Sequence, residues 1–280
     1  LHGHHRRQRQ MCIRDRHNLQ YDPTKDKRRG HGLRLASDEI YNARWKVSHR
    51  FRLPPDAKSG VYAGRFDFKL KGKAMRYHTS FIVRRPESKP KAPLLVRVST
   101  NTWLAYNSVP CPVNHGKGLI KLGTGGLGNS HEGAPEYSLY SDHRNGQPTY
   151  KVGLKVPWPA GDPNKTYIGE GYSHLLRGER FLHLWLDRLG YEYDLITDQD
   201  LDRNPEVLKE YKAVLVNGHS EYWSARAYDG LDDYLKSGGA AVVMSGNTMF
   251  WRVSFDETGE VMECRKFGGG IGGRKLAKVG

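Results

Sequence analysis

The chain has 280 residues, 37% of them hydrophobic, and no apolar run of about 18 residues or more that would predict a transmembrane helix. Its net charge of +15 lies mostly in two ends. Residues 1–34 carry ten Lys or Arg against three acids, and residues 265–280 carry five with no acid. Charged tails are usually solvated, whereas nucleic-acid binders carry basic charge on a folded face, so we expect neither nucleic-acid nor membrane binding.

The three cysteines, Cys12, Cys111 and Cys264, have no regular spacing. This usage predicts neither a disulfide framework nor a Cys-x-x-Cys zinc site, and it is typical of a reducing compartment. The N-terminus lacks the apolar core of a secretory signal, so we expect a cytoplasmic protein. Residues 10–16 resemble translated sequencing-adapter sequence, which would make residues 1–16 an artefact, and residues 1–34 form a basic segment without an assignment.

Short antiparallel strands are predicted between residues 35 and 87. Apolar and polar residues alternate in 45–53 and in 61–70, and Lys71–Lys73 is a hairpin-turn candidate before a third run at 77–83. Period-two patterning is typical of a sheet with one wet and one buried face. We interpret the segment as part of a β-sandwich domain.

Residues 88–280 predict an α/β domain that is truncated at its C-terminus. Apolar strands alternate with helices: strands at 94–99, 193–196, 213–217 and 240–244, and helices at 175–189, at 205–211 and after Ser224. This alternation predicts parallel βαβ units in a doubly wound, mostly parallel sheet of class I amidotransferase-like or flavodoxin-like type. Residues 100–173 are an unusually long connection, and we interpret them as a loop insertion that folds over the site.

Polar and aromatic residues crowd three segments that follow predicted strands, at 99–107, 218–223 and 245–251. The carboxyl ends of parallel strands meet at one edge of the sheet, and ligands bind there in open α/β folds. The sequence therefore predicts a functional site at this edge.

Several motifs resemble the catalytic C-terminal domain of the N,N-dimethylformamidase large (beta) subunit family. They are STNTWLAYN at 99–107, SLYS at 138–141, NGHSEYWS at 217–224 and SGNTMFW at 245–251. The resemblance implies hydrolysis of a small N-substituted amide such as N,N-dimethylformamide, with a mononuclear Fe(III) that polarises the carbonyl and activates water. It also implies a small partner subunit and a homo-oligomer.

The resemblance further implies which residues form the site. In the family two tyrosines and a glutamate hold the ferric ion, and the matching positions here are Tyr106, Tyr140 and Glu221. Phenolate and carboxylate oxygens are hard anionic donors that suit a hard trivalent cation. Matching pocket positions are His219 as general base or acid, and Asn247 and Lys266 as donors to the oxyanion of the tetrahedral intermediate.

The same residues also admit structural interpretations. Tyr106 would then only pack its ring, Glu221 would cap the following helix, and Asn247 would be a left-handed turn residue. Two glycine-rich stretches, 123–128 and 268–273, match G-x-G-x-x-G but lack the strand–turn–helix context of a dinucleotide site.

Two further functions remain open from the sequence. One is a non-catalytic amidotransferase-like domain that binds a sugar or peptide on tryptophan platforms: Trp103, Trp158, Trp223 and Trp251. The other is an interaction module that uses the basic ends as tails. Bound iron separates the first from the hydrolase, and loss of binding when the basic ends are trimmed would support the second.

Overall fold

The structure is a computed structural model that describes residues 45–107, 138–140, 149–164 and 173–265. Its strands are β1 (Gly60–Leu70), β2 (Lys73–Val83), β3 (Leu94–Val98), β4 (Lys151–Gly153), β5 (Tyr193–Thr197), β6 (Ala213–His219), β7 (Tyr222–Ser224), β8 (Ala240–Gly246), β9 (Trp251–Phe255) and β10 (Val261–Glu263). Its α-helices are α1 (Thr100–Ala105), α2 (Leu176–Leu189), α3 (Asp198–Arg203) and α4 (Ala225–Lys236), with 3-10 turns at Pro159–Gly161 and Pro205–Glu210. No helix within these ranges is long and apolar enough to cross a membrane.

The first two strands form the predicted hairpin. β1 and β2 pair antiparallel along their whole length, and the turn between them holds Lys71 at φ 48° and Gly72 at φ 77°. Positive φ at both central residues is what a two-residue turn with the right twist requires. The prediction of a strand at 45–53 is wrong. These residues form no strand and pair with neither strand of the hairpin, and Trp45 and Phe51 are exposed. The assignment of 35–87 to a sandwich stays a prediction.

A four-stranded parallel sheet in the order β5-β3-β6-β8 forms the centre of the α/β unit. In chain order β3 is the first of these strands, and it lies between β5 and β6, with β8 next to β6 at the edge. Flavodoxin-like doubly wound sheets have the same order. The predicted α/β class with a mostly parallel sheet is confirmed. Its specific likeness to class I amidotransferases stays a prediction.

Helices pack against both faces of this sheet, and neighbouring strand residues point to opposite sides and therefore contact different helices. Val96 and Leu215 pack in one buried cluster with Leu186 of α2. Leu95, beside Val96, packs in a second cluster with residues of α4. α2 ends as predicted at Gly190, whose φ of 72° provides the left-handed C-cap.

A second sheet, in the order β4-β10-β9-β7, was not predicted. β7 and β9 come from segments that the sequence analysis interpreted as loops after parallel strands, and β4 and α1 lie inside the 100–173 insertion. β7 and β9 pair in parallel, with Tyr222 opposite Trp251. This pairing holds two of the polar segments beside each other at the carboxyl edge of the parallel sheet.

Candidate active site

The predicted site residues are placed by strand and helix ends. Tyr106 follows the last residue of α1, and its backbone N–H donates to the Thr102 carbonyl at 3.1 Å. His219 is the last residue of β6, and Glu221 lies just before β7. Tyr140 is held near α1 because the N–H of its neighbour Leu139 donates to the Ala105 carbonyl at 2.9 Å.

Two phenols converge on one carboxylate. The Tyr106 hydroxyl donates to Oε2 of Glu221 at 2.9 Å, and the Tyr140 hydroxyl lies 3.1 Å from Oε1 and 3.0 Å from Oε2. The two tyrosine rings pack with their centroids 4.3 Å apart. Glu221 is only 2% exposed. The structure therefore brings together the three residues that the sequence analysis proposed as ligands, all with oxygen donors suited to a hard cation.

A third tyrosine, which the sequence analysis missed, extends this cluster. The Tyr222 hydroxyl donates to the Tyr140 hydroxyl at 2.7 Å, and the side chain is fully buried. Tyr222 stands next to Glu221 in the sequence, but neighbouring residues of an extended chain normally face opposite ways. Adjacency alone therefore gave no reason to place both at one site.

Burial sets the protonation of these phenols. Desolvation, followed by the nearby Tyr222, Tyr106 and Glu221, raises the pKa of Tyr140 far above its ordinary value. Desolvation also raises the pKa of Tyr222 well above the ordinary value. Both phenols are therefore neutral near pH 7 unless a cation compensates the phenolate charge.

His219 contacts the same carboxylate from the solvent side. Its Nε2 lies 3.1 Å from Oε2 of Glu221 and 3.4 Å from the Tyr106 hydroxyl, and its side chain is 14% exposed. The ring of His174 packs edge-on against it, with centroids 4.6 Å apart. A base in this position reaches both the buried oxygen cluster and solvent.

His174 was also missed by the sequence analysis. Its ring packs edge-on against Tyr106 with the centroids 4.8 Å apart. Desolvation and then the nearby His219 lower the pKa of His174 to about 4, so that it is neutral near pH 7. The only sequence signal is its place just before α2, at the end of the long insertion.

Asn247 follows β8 at the rim of the site. Its φ of 49° confirms that it is a left-handed turn residue, and its side chain is exposed. Its Nδ2 also lies 3.5 Å from Nε2 of His219, the outer limit of a hydrogen bond. Asn247 is therefore a turn residue whose side chain also lies beside His219 in the site. Lys266 lies outside the described residues.

The interpretation of Glu221 as a helix cap is wrong, and two of the four proposed tryptophan platforms are buried. Ser224, not Glu221, caps α4, since its Oγ accepts from the N–H of Ala227 at 3.2 Å. Trp103 and Trp223 are 1% and 3% exposed, so these two rings offer no surface on which a sugar or peptide would stack. Among the described residues no three His, Cys, Asp or Glu side chains are grouped to hold a metal ion, which leaves the tyrosine–glutamate set as the candidate.

Comparison with known proteins gives two findings. A family described as N,N-dimethylformamidase beta subunit-like, C-terminal, matches residues 6–272. The N,N-dimethylformamidase beta subunit of Alcaligenes sp is 30% identical over 245 residues, and that of Paracoccus aminophilus is 29% identical over 245 residues. Each alignment covers 84% of this chain, but the chain spans about a third of these relatives, 31% of each.

Proposed function

Because the chain belongs to the N,N-dimethylformamidase beta subunit-like family, we propose that it is the catalytic domain of a metal-dependent amidohydrolase. Its substrates would be small, linear N-substituted amides such as N,N-dimethylformamide, the compound in the relatives' names. The observation that carries the proposal is the convergence of Tyr106 and Tyr140 on the buried carboxylate of Glu221.

The donor set fits a single ferric ion. The phenol oxygens lie 2.9–3.1 Å from the carboxylate oxygens. These oxygens would hold the ion, because phenolate and carboxylate oxygens are the hard anionic donors that a hard trivalent cation prefers. Two phenolates and one carboxylate carry three negative charges, so Fe(III) would leave this buried site neutral, which limits the cost of desolvation. Loss of both phenol protons on binding is the usual coupling of metal affinity to pH.

The chain's own residues provide the remaining chemistry. Bound at Tyr106, Tyr140 and Glu221, the ion would polarise the amide carbonyl and lower the pKa of a water. We propose that Nε2 of His219, which lies 3.1 Å from Oε2 of Glu221, takes a proton from water and returns it to the leaving amine nitrogen. Asn247, whose Nδ2 lies 3.5 Å from Nε2 of His219, and Lys266 are proposed to donate to the carbonyl oxygen as negative charge develops there.

A partner subunit is part of the proposal. Both relatives are named as beta subunits, which places them in assemblies with another kind of subunit. We propose that this chain likewise acts with a small partner subunit and in a homo-oligomer. Assays are therefore designed for the full-length protein together with its co-purified partner.

The test compares His219→Gln with Glu221→Ala in release of dimethylamine from N,N-dimethylformamide. We expect His219→Gln to keep the bound metal and to lower kcat by about 10²–10⁴-fold, since it removes only proton transfer. Glu221→Ala removes a ligand, so metal and activity are both lost. Amine release by Glu221→Ala at the wild-type rate would refute the proposal, and wild-type protein that neither binds iron nor releases amine would favour a binding domain.

A further inference from the structure

The tripeptide His219–Glu221 is held at its centre by Ser220. This serine is fully buried, and its N–H donates to the Gly246 carbonyl at 3.2 Å. Its carbonyl accepts from the N–H of Met249 and from Nε1 of Trp223, each at 2.9 Å. A shift of Ser220 would therefore move the flanking histidine and glutamate together.

Arg97 reaches the hydroxyl of this serine from the adjacent strand β3. Its side chain is completely buried, its Nη1 donates to Oγ of Ser220, and its guanidinium lies over the Trp223 ring, 3.9 Å from the centroid. Trp223 Nε1 donates to the same Oγ at 2.9 Å. The planar guanidinium thus fixes the serine and the tryptophan in one arrangement, as a lysine would not.

A buried aspartate holds the other side of the guanidinium. Asp198, 1% exposed, follows β5 and forms an ion pair with Nη2 of Arg97. Its Oδ2 accepts from the N–H of Asn101 at 2.7 Å, and Asn101 lies in α1, the helix that leads to Tyr106. Arg97, which lies on β3, therefore links the segment that follows β5 with the segment that follows β6.

Stability alone gives a weak reason for this arrangement. A buried ion pair costs so much desolvation that apolar residues of the same volume are often as stable or more stable. Partners that orient the ligands of a metal site, in contrast, usually change metal affinity when they are removed. The location of the pair beneath the His219–Glu221 tripeptide favours such a role.

We infer that Arg97 is a positioning residue, which through the Ser220 hydroxyl sets where the Glu221 carboxylate and the His219 imidazole stand in the site. The inference rests on the proposed function only where iron binding is the measurement. Arg97 itself is not proposed to touch substrate or metal.

The first test is Ser220→Ala in the full-length protein, matched with Ser59→Ala. Ser59 Oγ also forms two backbone hydrogen bonds, to Val83 O at 3.0 Å and from Leu195 N at 2.7 Å, but its partners lie in β2 and β5 and not in the elements that flank this tripeptide. We expect Ser220→Ala to raise the dissociation constant for Fe(III) by about 10–100-fold and to change the tyrosinate-to-iron absorption. Ser59→Ala should leave both unchanged at similar loss of stability.

A second measurement on Ser220→Ala does not depend on bound metal. Hydrogen–deuterium exchange of the apoprotein should become faster in residues 219–222 of Ser220→Ala, while the strands of the parallel sheet keep their protection. Arg97→Lys and the double variant Arg97→Lys/Ser220→Ala complete a double-mutant cycle in which the iron affinity is measured. If Arg97 acts through the serine, the double variant weakens iron binding no more than Arg97→Lys alone.

The outcomes separate the two proposals. Wild-type protein without iron refutes the metal-dependent function, and the exchange of residues 219–222 then decides the positioning role. Wild-type iron affinity in Ser220→Ala, or exchange at 219–222 that matches Ser59→Ala, overturns the inference about Arg97. Strictly additive losses in the cycle would show that Arg97 does not act through Ser220 and would overturn it as well.

Discussion

The hydroxyl of Tyr140 lies 3.1 Å from one carboxylate oxygen of Glu221 and 3.0 Å from the other, although the two residues are 81 positions apart in the chain. A neutral phenol in this position holds the carboxylate, and its proton is the one that a cation would replace. Both residues are withdrawn from bulk water, so the contact is little weakened by solvent screening.

Tyr140 and Tyr222 should differ in their effect on iron binding. Tyr140→Phe removes a ligand oxygen and should abolish tight iron binding and its tyrosinate-to-iron absorption. Tyr222→Phe keeps the ligand and removes only the hydrogen bond to it, which is 2.7 Å long. We expect iron to remain bound with a shifted absorption band and an affinity lower by about 10-fold. Equal iron loss in both variants would contradict the assignment of Tyr140, and not Tyr222, as a ligand.

Asn247→Gly separates the turn role of this residue from its chemical role. Glycine tolerates the φ of 49°, so the free energy of unfolding should change by less than about 1 kcal/mol. Loss of the amide donor should lower kcat by about 10²–10³-fold with little change in KM. Asn247→Ala is the control, because it should lose the same activity and also some stability. Full activity in Asn247→Gly would leave Asn247 as a turn residue only.

Gly218 is predicted to be far less tolerant of a side chain than Gly190. Both have positive φ, 73° and 72°, but a Cβ on Gly218 would lie 2.4 Å from Cγ of Glu179, and none of the described atoms lies within 4 Å of a Cβ on Gly190. Gly190→Ala should cost about 1 kcal/mol from backbone strain. Gly218→Ala adds overpacking in the core and should cost about 2–5 kcal/mol in urea unfolding. Equal costs would contradict the close approach of β6 to α2.

The pH dependence of stability should report the buried carboxyl of Glu179. Desolvation raises its pKa from 4.5 to about 8, against hydrogen bonds from Trp103 and Ser99. Between these two values the native state binds more protons than the unfolded state, so the free energy of unfolding falls as pH rises. Glu179→Gln should flatten that fall in urea titrations across the same range. Parallel profiles for the two proteins would mean that Glu179 titrates normally.

The sequence predicted the parallel sheet well because the apolar runs of its strands are bounded by clear breaks, although only β3, β5 and β6 are buried and β8 is largely exposed. The second sheet escaped because β7, β4 and β10 have only three residues each, too few for a period to appear. The run at 45–53 misled for the opposite reason: alternation was present, but no strand in the described structure pairs with it.

For the site, strand-end reasoning located the edge, and the family resemblance supplied Tyr106, Tyr140 and Glu221. Tyr222 and His174 were missed because their role comes from tertiary contacts, with Tyr140 and with His219. The role of the buried Arg97 was missed for the same reason, since the sequence of an apolar run does not indicate which residues a charged member of it contacts.

Iron content of the purified full-length protein tests the central claim most directly, with Glu221→Gln as the variant and Glu179→Gln as its buried matched control. The account predicts close to one iron per chain in the wild type and in Glu179→Gln, with tyrosinate-to-iron absorption, and almost none in Glu221→Gln. Iron bound equally by Glu221→Gln, or wild-type protein that hydrolyses the amide without bound iron, would contradict it.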